Sequence, residues 1–239
     1  MGQVVGYYED STAGNYGFLY SGGLFTTLNV PGAIATFAQD INNNGQIVGW
    51  YQEDSGGQVH GFLYERGVFT FLDVPVPDAH STAAFGINNR GEIVGSYIVG
   101  PITYGFLYEA GVYTPLNAPE AYDRTQAFRI NDQGEIVGIY GRGSGGVDIH
   151  GFFYRNGVYA PLDAPGASET WVRGINNCGQ ILGFASDQAG GYNFLYAGGV
   201  FTPLDLPGNA FGINNGGRIV GTYSDEHGTH GFVATPTRR

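Results

Sequence analysis

Basic residues are scarce. Ten Lys and Arg stand against 21 Asp and Glu, a formal charge of −11. Nucleic-acid binding needs clustered cations for the phosphates, so that partner is excluded. An anionic membrane surface is an equally poor match. Cysteine is nearly absent. Cys178 stands alone, so no intrachain disulfide forms. No stretch approaches the ~18 consecutive apolar residues of a membrane-spanning helix, so no membrane insertion is expected. No secretory signal is visible. Met1-Gly2 does not open a myristoylation signal, because position 6 is Gly.

Glycine, by contrast, supplies 42 of 239 residues, and aromatics reach 15%. Apolar residues make up 42% and are well spread, which excludes a disordered chain. The glycines have no three-residue period, which excludes collagen. Glycine among aromatic and β-branched residues predicts short strands and tight turns.

One phrase recurs: INNNGQIVG (41–49), INNRGEIVG (87–95), INDQGEIVG (130–138), INNCGQILG (175–183) and INNGGRIVG (213–221). Four apolar segments surround it in fixed order. A short inner one such as AFGIN (84–88) leads into the turn. QIVGWY (46–51), HGFLY (60–64) and VFTFL (68–72) show the three that follow. The Gly closing the phrase falls at 6, 49, 95, 138, 183 and 221, in steps of 43, 46, 43, 45 and 38. That period fits a four-stranded propeller blade. The first repeat lacks its inner strand and the last its outer strand. The expected fold is therefore all-β. Residues 1–239 form a single β-propeller domain of four-stranded antiparallel blades, six in number, with five as the alternative.

Asn and Gly both tolerate positive φ, so INNxG reads as a strand reversal rather than as a ligand set. Gly95 is expected to allow close approach where blades meet. Alternating strand direction puts these turns and the tight YERGV-type turns on one face. The irregular loops share the other. Twelve of the 21 carboxylates lie on that second face: Glu9, Asp10, Glu53, Asp54, Asp78, Glu120, Asp123, Asp148, Glu169, Asp187, Asp225 and Glu226. Variable loops on a rigid scaffold are where function commonly resides.

Four candidate chemistries follow. His60, His150 and His230 begin the third strand of alternate repeats, with Tyr16, Tyr104 and Tyr192 between them. Three histidines are a familiar zinc set. At this radius they should stand far apart, so a repeated hydrogen-bonding role is favoured. Acidic glycine loops offer Asp10, Asp54, Asp187 and Asp225 to Ca2+, without EF-hand spacing. On the inner strand, Asp40 and Arg129 are the candidate catalytic groups. A glycosidase would need a second carboxylate from Asp78, Glu120, Asp123 or Glu169. Arg173 falls one residue before its aligned position. Tyr122 and Trp171, with Asp78, Asp123 and Glu169, are candidate sugar-binding residues. GRGSGG (141–146) lacks the lysine of a phosphate loop, and Cys178 reads as a bystander thiol.

The pattern GINNxGQIVGxYxDxxGxxHGFLYxxGxFTxLDxPG resembles the bacterial HAF repeat family. INNNGQIVGWYQEDSGGQVHGFLYERGVFTFLDVP (41–75) and INDQGEIVGIYGRGSGGVDIHGFFYRNGVYAPLDAP (130–165) carry the resemblance best. It implies a secreted or surface-associated bacterial protein and agrees with the propeller reading. It carries no catalytic set onto this chain. The chain departs from the pattern at IVGPITYGF (98–106), where the acidic loop is lost, and at Asn193, which replaces the usual Gly. The leading expectation is a non-catalytic extracellular binding or scaffold propeller whose loop-rich acidic face meets a carbohydrate or surface ligand. The alternatives are a glycan-active hydrolase or lyase and a purely structural repeat module.

Overall fold

A computed structural model describes residues 2–10, 14–143 and 148–235. They form 22 strands and no helix. The chain divides into two compact units, Met1–Asn117 and Ala118–Arg239.

In the first unit, β1 (Val4–Glu9), β2 (Asn15–Ser21) and β3 (Leu24–Leu28) form a three-stranded antiparallel meander. β4 (Ala35–Ile41), β5 (Ile47–Gln52), β6 (His60–Glu65) and β7 (Val68–Phe71) form a four-stranded one. β8 (Ala79–Ile87), β9 (Ile93–Val99), β10 (Ile102–Glu109) and β11 (Val112–Leu116) form another. In the second unit, β12 (Arg124–Ile130), β13 (Ile136–Gly141), β14 (Ile149–Arg155) and β15 (Val158–Pro161) make a four-stranded meander. So do β16 (Glu169–Ile175), β17 (Ile181–Asp187), β18 (Gly190–Ala197) and β19 (Val200–Leu204). β20 (Asn209–Ile213), β21 (Ile219–Asp225) and β22 (Gly228–Ala234) close the series with three strands. Among the described residues the first sheet has no strand before β1 and the last none after β22, as the repeat count predicts.

Within each unit the INNxG turns hold one sheet to the next. Asn42 Oδ1 accepts the amides of Asn44 and Gln46, both at 3.0 Å. Its Nδ2 donates to Gln46 Oε1 at 2.7 Å and to the Asn88 carbonyl of the neighbouring turn at 2.9 Å. Asn176 does the same in the second unit. It accepts from Cys178 and Gln180 and donates to Gln180 Oε1 and the Asn214 carbonyl. The second Asn receives a bond across the same gap. Asn89 Oδ1 accepts the Asn43 amide, and Asn215 Oδ1 the Asn177 amide, both at 2.8 Å. The turn Gly takes positive φ each time, for example 82° at Gly91 and 71° at Gly179.

The glycine of the IVG phrase does something other than expected. A Cβ on Gly95 would stand 2.1 Å from the Ala83 carbonyl and 2.7 Å from the Phe106 ring. Both belong to its own sheet. The close approach is thus within a sheet rather than between sheets. Opposite this glycine every inner strand carries a β-bulge, as between Ala84 and Gly86 or Val172 and Gly174. The missing side chain lets the bulged strand and the Phe ring close in from two sides. The inner strands are also longer than expected, with nine residues in β8. There the acidic loop is replaced by a hairpin at Gly100, and the freed backbone extends the ladder from Ala79 to Val99.

A second tie docks each crossover on the strand that follows it. Buried Thr36, Thr82, Thr125 and Thr170 each accept, at 3.0–3.1 Å, the amide of a crossover residue: Val30, Val74, Ala118 and Ala164. The last inner strand has Gly208 at this position. Asn193 of β18 compensates, accepting from Ala210 at 3.1 Å and donating to the Gly208 carbonyl at 2.8 Å.

Asn176→Ala is expected to cost about 3 kcal/mol in urea denaturation, because buried turn groups lose their partners. Cys178→Ser in the same turn, where only the backbone is engaged, is expected near zero. Asn193→Gly is expected to cost about 1–3 kcal/mol by the same logic.

Candidate functional site

An aromatic ring on the second strand of a sheet faces the residue that opens the third. Tyr51 lies 5.3 Å from His60, Tyr97 5.4 Å from Tyr104, Tyr140 5.4 Å from His150 and Tyr223 5.2 Å from His230, centre to centre. The first three tyrosines are buried. They form a floor, and the third-strand residue is its half-buried edge. His60 Nδ1 bonds Asp73 Oδ2 at 3.0 Å, and His150 Nδ1 bonds Asp163 Oδ2 at 2.9 Å. Each partner lies thirteen residues on in its own sheet. At the same spacing Tyr16 has Asn29 and Tyr104 has Asn117. His230 instead bonds Asp225 at 3.0 Å. Each histidine therefore has its own aspartate. Among the described residues no group of three His, Cys, Asp or Glu side chains could hold a metal ion.

The richest rim belongs to the sheet of β12–β15. His150 Nε2 also meets Asp148 Oδ1 at 3.0 Å. Asp148 takes φ of 65° to reach it. Arg142 lies 5.6 Å over the Tyr140 ring and pairs with Glu120. The Tyr122 amide donates to the Gly141 carbonyl at 2.8 Å, which places Tyr122 beside that pair with its ring 67% exposed. Asp123 Oδ1 packs against Gly141. A small cleft of about 80 Å³ lies under the rim, lined by Glu120, Tyr140, Phe152, Tyr159 and Pro161 among others. Burial raises the Tyr140 phenol, and Asp163 and Asp148 add to the shift.

Of the other candidates, Glu169 and Trp171 come together, with Trp171 Nε1 3.4 Å from Glu169 Oε2. Asp78 sits in the crossover before β8 with φ of 65°. Asp40 accepts the Ile41 amide at 2.9 Å and the Ile87 amide at 3.1 Å. Those bonds tie two inner strands together. Arg129 Nη1 donates to the Phe128 carbonyl at 2.8 Å. The loop aspartates shape turns. Asp54 accepts from Gly56, Asp187 from Ala189 and Gly190, and Asp225 from His227. The Asp10 amide donates to the Gly14 carbonyl at 3.2 Å. Residues 144–146 of GRGSGG lie outside the described residues.

A larger hollow of about 490 Å³, lined by Arg90, Glu92, Tyr108 and Glu109 among others, opens on the turn face of the first unit. Its central charges serve the turn. Arg90 and Asn88 both donate to Glu92 Oε2. It offers a ligand little that is unengaged, so the β12–β15 rim is the better candidate.

No known protein family profile matches the chain, and no curated protein matches it. Solved structures do. TolB from Acinetobacter baumannii is 12% identical over 98% of this chain, with a TM-score of 0.74. The chain spans 61% of that protein's length. The β-propeller domain of the Trilobed protease from Pyrococcus furiosus is 10% identical, over 97% of this chain and 79% of that one, with a TM-score of 0.58. A lectin from Aleuria aurantia, in complex with α-methyl-L-fucoside, is 12% identical, over 98% and 91%, with a TM-score of 0.56. These likenesses show the fold: the chain is all-β and of the β-propeller type.

The buried phenols set a pH dependence. Burial, helped by Glu53 and Asp73, pushes Tyr51 up to about 12 from 10.0. Burial likewise raises Tyr97, Tyr113, Tyr140 and Tyr159. Above pH 10 the unfolded chain loses these protons before the folded one does, so stability falls as pH rises toward 12. Absorbance titration should show a late-ionising set of tyrosines. Tyr51→Phe should flatten the alkaline fall in stability.

Proposed function

We propose that the six meanders are the blades of one propeller, and that the protein is a non-catalytic carbohydrate-binding module of the cell surface or extracellular space. The observation that carries this reading is the rim of β12–β15. Exposed Tyr122 is docked by its backbone on Gly141, next to Arg142 with its Glu120 partner, and the same sheet carries the Asp148–His150–Asp163 chain. A sugar presents an apolar C–H face and a fringe of hydroxyls. The ring suits the first, and planar charged groups suit the second. The cleft is shallow, which fits surface capture better than enclosure of a reacting bond. On the inner strands Asp40 has both oxygens on backbone amides, a poor starting point for an acid–base pair. The likeness to the fucoside-bound lectin over most of both chains supports the reading at the level of fold.

Glycan-array screening followed by calorimetry on the best ligand tests it. Tyr122→Ala is expected to weaken binding at least about tenfold, or ~1.4 kcal/mol, with melting unchanged because the ring is exposed. A blank array, or equal affinity for the variant, would sink the proposal.

A further inference from the structure

Arg173 is the extra residue of the β16 bulge, which explains why it falls one place before its aligned position. Its guanidinium lies 5.1 Å from the centre of the Phe211 ring and 5.7 Å from that of Phe184. Phe211 occupies the equivalent bulge in β20. Nη1 is enclosed and has no hydrogen-bond partner. The residue as a whole is only part-buried. Burial lowers its pKa, and no carboxylate counters that effect.

Among the described residues Arg173 is the arginine with an enclosed nitrogen that finds no hydrogen-bond partner. All ten basic residues are arginines, set among 21 carboxylates. Among the described residues Arg66, Arg90, Arg142 and Arg155 each face a glutamate, and Arg173 faces none. A desolvated cation without a partner is unfavourable, and two aromatic faces offset only part of that. The guanidinium is a planar fork of donors that matches a carboxylate bidentately. Trp171, on the same side of β16, stands opposite Phe184 in register. The surroundings are thus aromatic and the central charge is positive.

We propose that Arg173 is the recognition point for the carboxylate of a small ligand with a flat or ring-shaped body, bound between Phe184 and Phe211. This site is separate from the Tyr122 rim and stands or falls without it. Calorimetric titration of the full chain with glucuronate and with benzoate tests it, using glucose and benzyl alcohol as uncharged controls. At least one carboxylate should bind and its control should not. Glucuronate alone would indicate a sugar acid, and benzoate alone an aromatic acid. Arg173→Met should weaken the bound carboxylate by at least about tenfold. Arg173→Lys, which keeps the charge and loses the fork, should weaken it less. The unliganded Met variant should melt at or above the wild-type temperature, because an unpartnered charge is gone. If neither carboxylate binds, or if Arg173→Met binds as well as wild type, the proposal is overturned. A lower melting temperature together with no carboxylate binding would make Arg173 a purely structural clamp. Should Arg173→Met fail to fold, the Lys variant decides.

Discussion

The structure depends on one side chain, the first asparagine of each INNxG turn. An amide side chain has two donor hydrogens and two acceptor lone pairs. Asn42, Asn131 and Asn176 use all four. Two acceptances close their own turn, one donation reaches the Gln or Glu four residues on, and one crosses to the next turn. The same residue therefore makes the local reversal and attaches the neighbouring sheet. Aspartate there would lose both donations, and serine could not reach in both directions. Buried positions make the dependence strict, because an unmet amide has no water to turn to. The last repeat fits this account. Asn214 still closes its turn, and Arg218 stands where the others place an acceptor.

The turn in turn sets up the bulge. Once the inner strand is fixed to its neighbour at the turn, the next strand must fit closely under it. A glycine allows this: at Gly138 a Cβ would stand 2.0 Å from the Gln126 carbonyl. One extra residue is pushed out of the ladder at each bulge. Those residues are Gln39, Phe85, Phe128, Arg173 and Phe211. Scaffold geometry is constant there, while the chemistry is not. The bulge row is a place where one repeat differs from the next at no cost to strand pairing, and Arg173 is its charged member.

Much of this was legible in the sequence, and the boundary is physical. Turn type, strand order and the incomplete terminal sheets follow from short-range chemistry, in which Asn, Gly and β-branched residues act within a few positions. The histidines needed only one further step. His60 with Asp73 and His150 with Asp163 share a spacing of thirteen residues, and Tyr16 and Tyr104 have Asn there. Tyr192 breaks that exchange, with Asp205 at the same spacing, so the signal available was the fixed spacing of the two His–Asp pairs. The Asn193–Gly208 tie was harder. It joins two departures from the pattern on different sheets, and neither reveals the other until the strands are packed. The bulge was hidden for a similar reason. One added residue per inner strand leaves the period intact. Tyr122 stands out in the sequence as an aromatic in a variable loop, but its backbone docking beside Arg142 depends on a bond to Gly141 that no spacing rule contains.

That backbone bond bears on how many ligands the rim can hold. Ile34 donates to the Gln52 carbonyl, Tyr122 to Gly141 and Ser168 to Ser186, each at 2.8 Å. The crossovers are therefore docked alike on three sheets, even where their sequences disagree. Backbone position is held by the bond, so the side chain is free to change. Ile34, Tyr122 and Ser168 are chemically unrelated. Only the middle one pairs an aromatic ring with a nearby Arg–Glu pair and a His–Asp chain. A repeated scaffold thus does not imply a repeated site. Identical docking with different side chains makes one rim distinct, and on the proposed reading it argues for one ligand position on β12–β15 rather than several equivalent ones.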